Sequence, residues 1–184
     1  MAGISGFPPA QLAASVERLA THLKAANQTV SFAETATGGL LSSTLLSIPG
    51  TSKVFRGGLT LYTLESRVAF AGWTQSDIDK YKGPTTSIVE GLAKHVRGSL
   101  KADWVLAESG TAGPTGGTTR NRTPGYVALA VAGAGGNWTR EVETGLGGDR
   151  VANMLRFAEE GVRLLLDVIE GRIEPDRDDQ GGRL

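Results

Sequence analysis

The 184-residue chain contains no cysteine and only two histidines, His22 and His95. The first absence removes disulfides, thiolate metal sites and thiol nucleophiles together; the second leaves too few imidazoles for a His-rich metal site or an evident Ser-His pair. No apolar run approaches the roughly 20 residues needed to cross a bilayer; the longest covers residues 126–132. The opening MAGISGFPPA has no basic segment ahead of an apolar stretch, so no export signal is read and a cytoplasmic protein is expected. A surplus of either charge is also missing. The 19 Lys and Arg balance 19 Asp and Glu, which argues against nucleic acid or a membrane surface as partner.

What is present is enough apolar material for one core, 40% of the residues, together with 26 glycines, about twice the usual share of ~7%. The glycines cluster at positions 38–39, 57–58, 110–117, 133–136 and 145–148, the pattern of tight loops rather than of a low-complexity chain. Leu12, Val16, Leu19, Ala20 and Leu23 share one helical face, and residues 29–33 form a short β-prone run. Further helices are predicted over 40–47, near 77–80 with Thr74 or Ser76 as cap, from Thr86 or Ser87 to about 100, and over 149–169. Strands are predicted over 54–63, 103–109, 125–132 and 138–144. Alternating helices and strands define an α/β layered domain over residues 10–170 whose strand-end loops are the usual place for a ligand. Residues 171–184 have almost nothing to bury and are expected to be a disordered tail.

Four segments rich in glycine and hydroxyls lie at predicted strand–helix junctions: 34–39, 50–52, 109–117 and 147–150. Backbone N–H groups at a glycine turn opening a helix suit an anion, so a phosphorylated small molecule is the natural ligand. None of the four matches a P-loop or a G-x-G-x-x-G fingerprint, and each read singly is equally a tight turn.

The string AETATGGLLSSTLLSIPGTSKVFRGGLTLYTLESR resembles the opening signature of the CinA C-terminal domain family of nicotinamide mononucleotide deamidases, whose usual form is AESCTGG, then IAGSS, a glycine-containing strand, a Tyr and a Lys. LAESGTAGPTGGTTRNRTPGYVALA is similar to that family's TGIAGPDGG…KPVGTVW segment, and GGDR to its SGDR before the last helix. The resemblance covers roughly residues 10–170. It implies a three-layer α/β/α sandwich with a central mixed sheet, and an amidohydrolase that converts nicotinamide mononucleotide to nicotinate mononucleotide and ammonia. Many members carry an additional N-terminal domain, so a chain with about ten residues ahead of its first helix resembles the stand-alone form.

By this resemblance Ser52 occupies the nucleophile position and Tyr62 that of the tyrosine that assists it. The family Lys is replaced by Arg67, which holds its proton too tightly to act as a base; the role left to it is to act on Tyr62 through its charge. Lys53, beside Ser52, is an unusual cation in the motif. The Ser-Cys pair of AESCTGG becomes Thr35-Ala36, so one hydroxyl is kept. Thr35, Thr37, Gly38, Gly39, Ser109, Gly110 and Gly113 are then expected to line the substrate, and Arg150 to hold its phosphate with the planar fork that suits an oxyanion. Asp149 reads as a helix cap. Each residue also has a plain structural reading: Ser52 as a cap, Tyr62 as a strand residue packed on a helix, Arg150 as a first-turn surface residue. No metal or cofactor is implied, since a serine, a base and backbone donors suffice for acyl transfer. Association into a homo-oligomer is expected. The changes at Arg67 and Thr35-Ala36 also leave open a CinA-like binding or interaction protein without turnover, or an amidase for another small substrate.

Overall fold

The computed structural model describes residues 6–176. The elements run α1 (Ala10–Ala26), β1 (Val30–Glu34), α2 (Leu40–Leu46), β2 (Phe55–Thr60), α3 (Leu64–Phe70), α4 (Gln75–Lys80), α5 (Thr86–Leu100), β3 (Trp104–Thr111), β4 (Tyr126–Gly133), β5 (Gly136–Glu143) and α6 (Arg150–Ile169), with single 3-10 turns at Thr51–Lys53 and Arg120–Arg122. The five strands form one sheet in the order β2-β1-β3-β4-β5. β2, β1 and β3 are parallel, while β4 and β5 are antiparallel additions, so the sheet is mixed.

Side-chain alternation on the central strands sorts the helices onto the two faces. Phe32, Leu106, Val127, Leu129 and Val131 point to one side, where they meet Leu12, Val16 and Leu19 of α1, Leu41 and Leu45 of α2, and Phe157, Val162 and Leu165 of α6. On the other side Ala107, Ala128, Ala130 and Ala132 present a shallow surface on which Val89, Leu92, Ala93 and Val96 of α5 settle. Both faces are covered, which is why β1 and the first seven residues of β4 are buried throughout. The result is the three-layer α/β/α sandwich.

Helix ends follow local chemistry. Asn27 closes α1 in the left-handed region at φ 52, the Thr85 hydroxyl accepts from the Ile88 N–H to open α5, and Asp149 accepts from the Ala152 N–H to open α6. The sequence places the α5 cap one or two residues later, at Thr86 or Ser87. It also predicts no helix at 64–70, where α3 forms. Of the tail expected over residues 171–184, residues 171–176 are tied to the domain: Ile173 packs on the core beneath Trp138, the Asp176 N–H donates to the Asn137 carbonyl, and Thr139 donates to the Asp176 carboxylate. Residues 171–176 therefore lie along the outer edge of β5, and residues 177–184 fall outside the described part of the chain. No helix among the described residues is long and apolar enough to cross a membrane.

Candidate functional site

β1 is followed by α2 on one face of the sheet and β3 is preceded by α5 on the other, with β2 to the left of β1 and β3 to its right. The carboxyl ends of β1 and β3 thus form the crevice at which the connections diverge, the ligand position of open α/β sheets. A hollow of about 340 Å³ lies there, lined by Thr35, Ala36, Tyr62, Arg67, Tyr81 and Ser109 among others. A second of about 180 Å³ adjoins it through Ala36, Tyr62 and Gly110 and extends to Gly113 and Arg150.

Two buried carboxylates shape the floor. Glu34, at the end of β1, accepts from the N–H groups of Gly39, Leu41 and Ser42 and from the hydroxyls of Thr37 and Ser42. It satisfies the free N–H groups at the start of α2 from within the chain. Glu108, on β3, accepts at Oε1 from the Thr35 and Thr37 N–H groups at 2.6 and 2.8 Å and is 2.8 Å from the Thr37 hydroxyl, while its Oε2 is buried without a partner. Burial pushes the Glu108 carboxyl up to about 7; the donors from Thr37 and Thr35 oppose the shift, and the nearby Glu34 charge adds to it.

Arg150, the first residue of α6, is gripped from two directions. One guanidinium nitrogen donates to the Gly113 carbonyl at 2.9 Å, the other to the Tyr62 hydroxyl at 3.2 Å. Gly113 has φ +86 and its Cα side faces Gly148 so closely that a Cβ would sit 3.0 Å from the Gly148 Cα, which makes glycine the residue that fits. Asn153, one turn along α6, is fully buried and holds the surrounding loops: its amide donates to the carbonyls of Ala112 and Gly147 and accepts from the Thr144 hydroxyl.

Arg67 sits deep in the larger hollow, 3% exposed. Its guanidinium lies over the rings of Trp73 and Tyr81, 5.0 and 5.2 Å from their centroids, and donates to the Ser109 hydroxyl at 3.3 Å; Nη1 is buried without a partner. No carboxylate among the described residues forms an ion pair with it. The cation is held instead by two aromatic faces, which attract it through their quadrupoles.

The structure brings together Thr35, Tyr62, Arg67, Ser109, Gly110, Gly113 and Arg150. It corrects three expectations. Thr37, Gly38 and Gly39 are absent from the lining of the two hollows, and the Thr37 hydroxyl and the Thr37 and Gly39 N–H groups are already taken by Glu34 and Glu108. The cation on the Tyr62 hydroxyl is Arg150, whereas Arg67 faces Ser109 and the two rings. Ser52 lies in the Thr51–Lys53 turn ahead of β2, at the end of the parallel strands opposite the cleft, so one chain does not place it beside Tyr62. Sequence reasoning did not find Glu108, Asn153, Trp73 or Tyr81 as site residues. A carboxylate inside the run WVLAESG was the one visible signal, since an acid between buried strand positions demands donors.

This architecture is that of a mixed-sheet α/β protein with a cationic cleft at the carboxyl ends of its parallel strands. The chain belongs to the CinA family: residues 12–169 match the CinA C-terminal domain. A CinA-like protein of Prochlorococcus marinus (strain AS9601) is 40% identical over 107 residues, 58% of this chain and 25% of the relative. A CinA-like protein of Shewanella amazonensis is 38% identical over 127 residues, 69% of this chain and 30% of the relative. The aligned part of the chain thus corresponds to between a quarter and a third of these relatives' length. Among solved structures, a competence/damage inducible protein from Agrobacterium tumefaciens superposes with a TM-score of 0.80 at 24% identity, over 88% of this chain and 97% of that one. A CinA superfamily protein from Escherichia coli gives 0.78 at 23%, over 85% and 90%. Both support the fold.

Proposed function

We propose that the cleft hydrolyses the carboxamide of a phosphorylated pyridine nucleotide, nicotinamide mononucleotide, to nicotinate mononucleotide and ammonia. The observation that carries the reading is Arg150, held at the cleft mouth by Gly113 and Tyr62 at the start of the twenty-residue helix α6. A guanidinium at a helix N-terminus beside a glycine-rich loop is suited to a phosphate. The larger hollow beyond it leaves room for the ring and its amide, and Arg67 at its base is a cation without a carboxylate partner among the described residues, suited to the acid formed on hydrolysis.

The step is an acyl transfer. The Ser52 oxygen, brought to the cleft from a second copy because one chain keeps it apart from Tyr62, bonds to the carboxamide carbon; its proton passes to the Tyr62 hydroxyl, which hands its own proton to the departing nitrogen, so that the C–N bond breaks and ammonia leaves. Water then cleaves the ester, regenerating the serine and releasing the carboxylate, so one water is consumed per ammonia formed. Ammonia release from nicotinamide mononucleotide, abolished by Ser52→Ala, is the expected result. Arg150→Ala is expected to raise KM for the nucleotide roughly 10- to 100-fold, the cost of a lost charge-assisted phosphate contact. It leaves KM for the unphosphorylated nucleoside unchanged.

A second reading, a nucleotide-binding protein without turnover, is favoured by the separation of Ser52 from the cleft within one chain. Calorimetric binding of the nucleotide without ammonia release from the wild type would select it.

A further inference from the structure

The floor of the cleft holds two carboxyl groups and one hydroxyl whose protons can be counted. The Thr37 Oγ lies 2.8 Å from Glu34 Oε2 and 2.8 Å from Glu108 Oε1. A threonine hydroxyl has one proton and satisfies only one of these contacts as donor. Glu34 leaves no place for a proton of its own, since its Oε2 also accepts from the Gly39 and Leu41 N–H groups and its Oε1 from the Ser42 N–H and hydroxyl. The Thr37 proton therefore belongs to Glu34. The remaining contact, between the Thr37 Oγ and Glu108 Oε1, then needs a proton from Glu108 itself. On Oε2 that proton would meet no acceptor, because the atom is buried without a partner, whereas on Oε1 it meets the Thr37 oxygen. An orphaned carbonyl oxygen also costs less in the interior than an orphaned share of a charge.

The surroundings supply no cation to change this count. Glu108 shares the sheet face of Leu106, while Ser109 turns to the opposite face, where Arg67 donates to it. On the Glu108 side, β1 brings Glu34, β4 sets Leu129 directly opposite, α2 brings Leu41 and Leu45, and α6 brings Phe157. Among the described residues no Lys, Arg or His forms an ion pair with either acid.

We propose that Glu108 is a positioning residue that works as a neutral acid: it donates to Thr37, Thr37 donates to Glu34, and this series holds residues 35–37 as the wall against which an anionic nucleotide binds. Glu108 Oε1 also takes the Thr35 and Thr37 N–H groups, and Thr35 and Ala36 line the hollows. Loss of the proton puts two carboxylates on one hydroxyl and leaves a charged oxygen without a donor, so the wall loosens from β3 to admit water. Burial, which pushes this carboxyl up to about 7, sets that loss near neutrality: the wall is held below that pH and slackens above it. The proton count rests on the hydrogen bonds; only its use in binding rests on the nucleotide reading.

Infrared spectra at pH 6 test the proton, because ordinary carboxyls are ionised there. The carbonyl band of a protonated carboxylic acid is expected in the wild type, absent from Glu108→Gln and fading as pH rises through about 7. A wild type without that band, a measurement that needs no variant, overturns the proposal. Calorimetry with nicotinamide mononucleotide at pH 6 and pH 8 tests the positioning. About one-tenth of a group titrating near 7 keeps its proton at pH 8, so the wild-type Kd is expected to rise about tenfold more than that of Glu108→Gln, which carries the contribution of the ligand's own phosphate. Equal changes in the two proteins overturn the positioning role. The acid band and the tenfold change without ammonia release leave the proposal standing and remove hydrolysis; ammonia release without the band does the reverse.

Discussion

Glu108 is fully buried, accepts from two backbone N–H groups at one oxygen and leaves the other without a partner, so its ionised form is only half satisfied. With its carboxyl pushed up to about 7 from 4.5, the folded chain holds an extra proton between those values. Its stability contribution is therefore full below pH 4.5 and is lost as pH rises through about 7, a change of roughly 3 kcal/mol. Glu108→Gln keeps the acceptor for Thr35 and Thr37 and removes the titration. Urea unfolding of this variant is expected to lose most of the stability difference between pH 5 and pH 8 that the wild type shows. An unaltered difference would assign it to other groups.

The elements stand or fall on such cross-chain ties. Asn153→Ala would leave the Ala112 and Gly147 carbonyls and the Thr144 hydroxyl without their buried partner, and a loss of about 2–4 kcal/mol is expected in equilibrium unfolding. Most elements were legible in the sequence because their apolar spacing reports a face: α1, α5 and α6 repeat every three to four residues and β4 alternates valine or leucine with alanine. α3 was not legible, since Val68 and Phe70 point outward and the buried residue on it is Arg67, which inverts the usual pattern. The first residues past α6 were missed because Ile173 and Pro175 are too few to form a pattern, though each finds a contact on β5 or the core. The cleft was half visible. Gly113, Ser109 and Arg150 were found in their motifs, whereas the capture of the 34–39 loop by Glu108, more than 70 residues away, depends on strand order and has no local trace.

At the scale of the whole molecule, an association that brings Ser52 of one chain to the cleft of another would make activity a property of two chains, and the exposed apolar Phe70 is where it is tested. Phe70→Asp alters an exposed side chain, so its own cost to the fold is expected to stay within about 0.5 kcal/mol. Sedimentation is expected to show a shift toward a single-copy mass, with ammonia release falling in parallel and circular dichroism unchanged. Retained mass and activity would place Phe70 outside the contact between copies.

The two margins of the sheet are not alike. At β5, residues 171–176 lie against the first half of the strand, and the second half displays Arg140, Glu141 and Glu143. Strand addition is thereby obstructed along the first half of β5 and left open along β2, so the two margins differ in what they can take up. The short segment beyond α6 acts in this sense as a terminator, and a chain cut after residue 170 would offer a second point of growth.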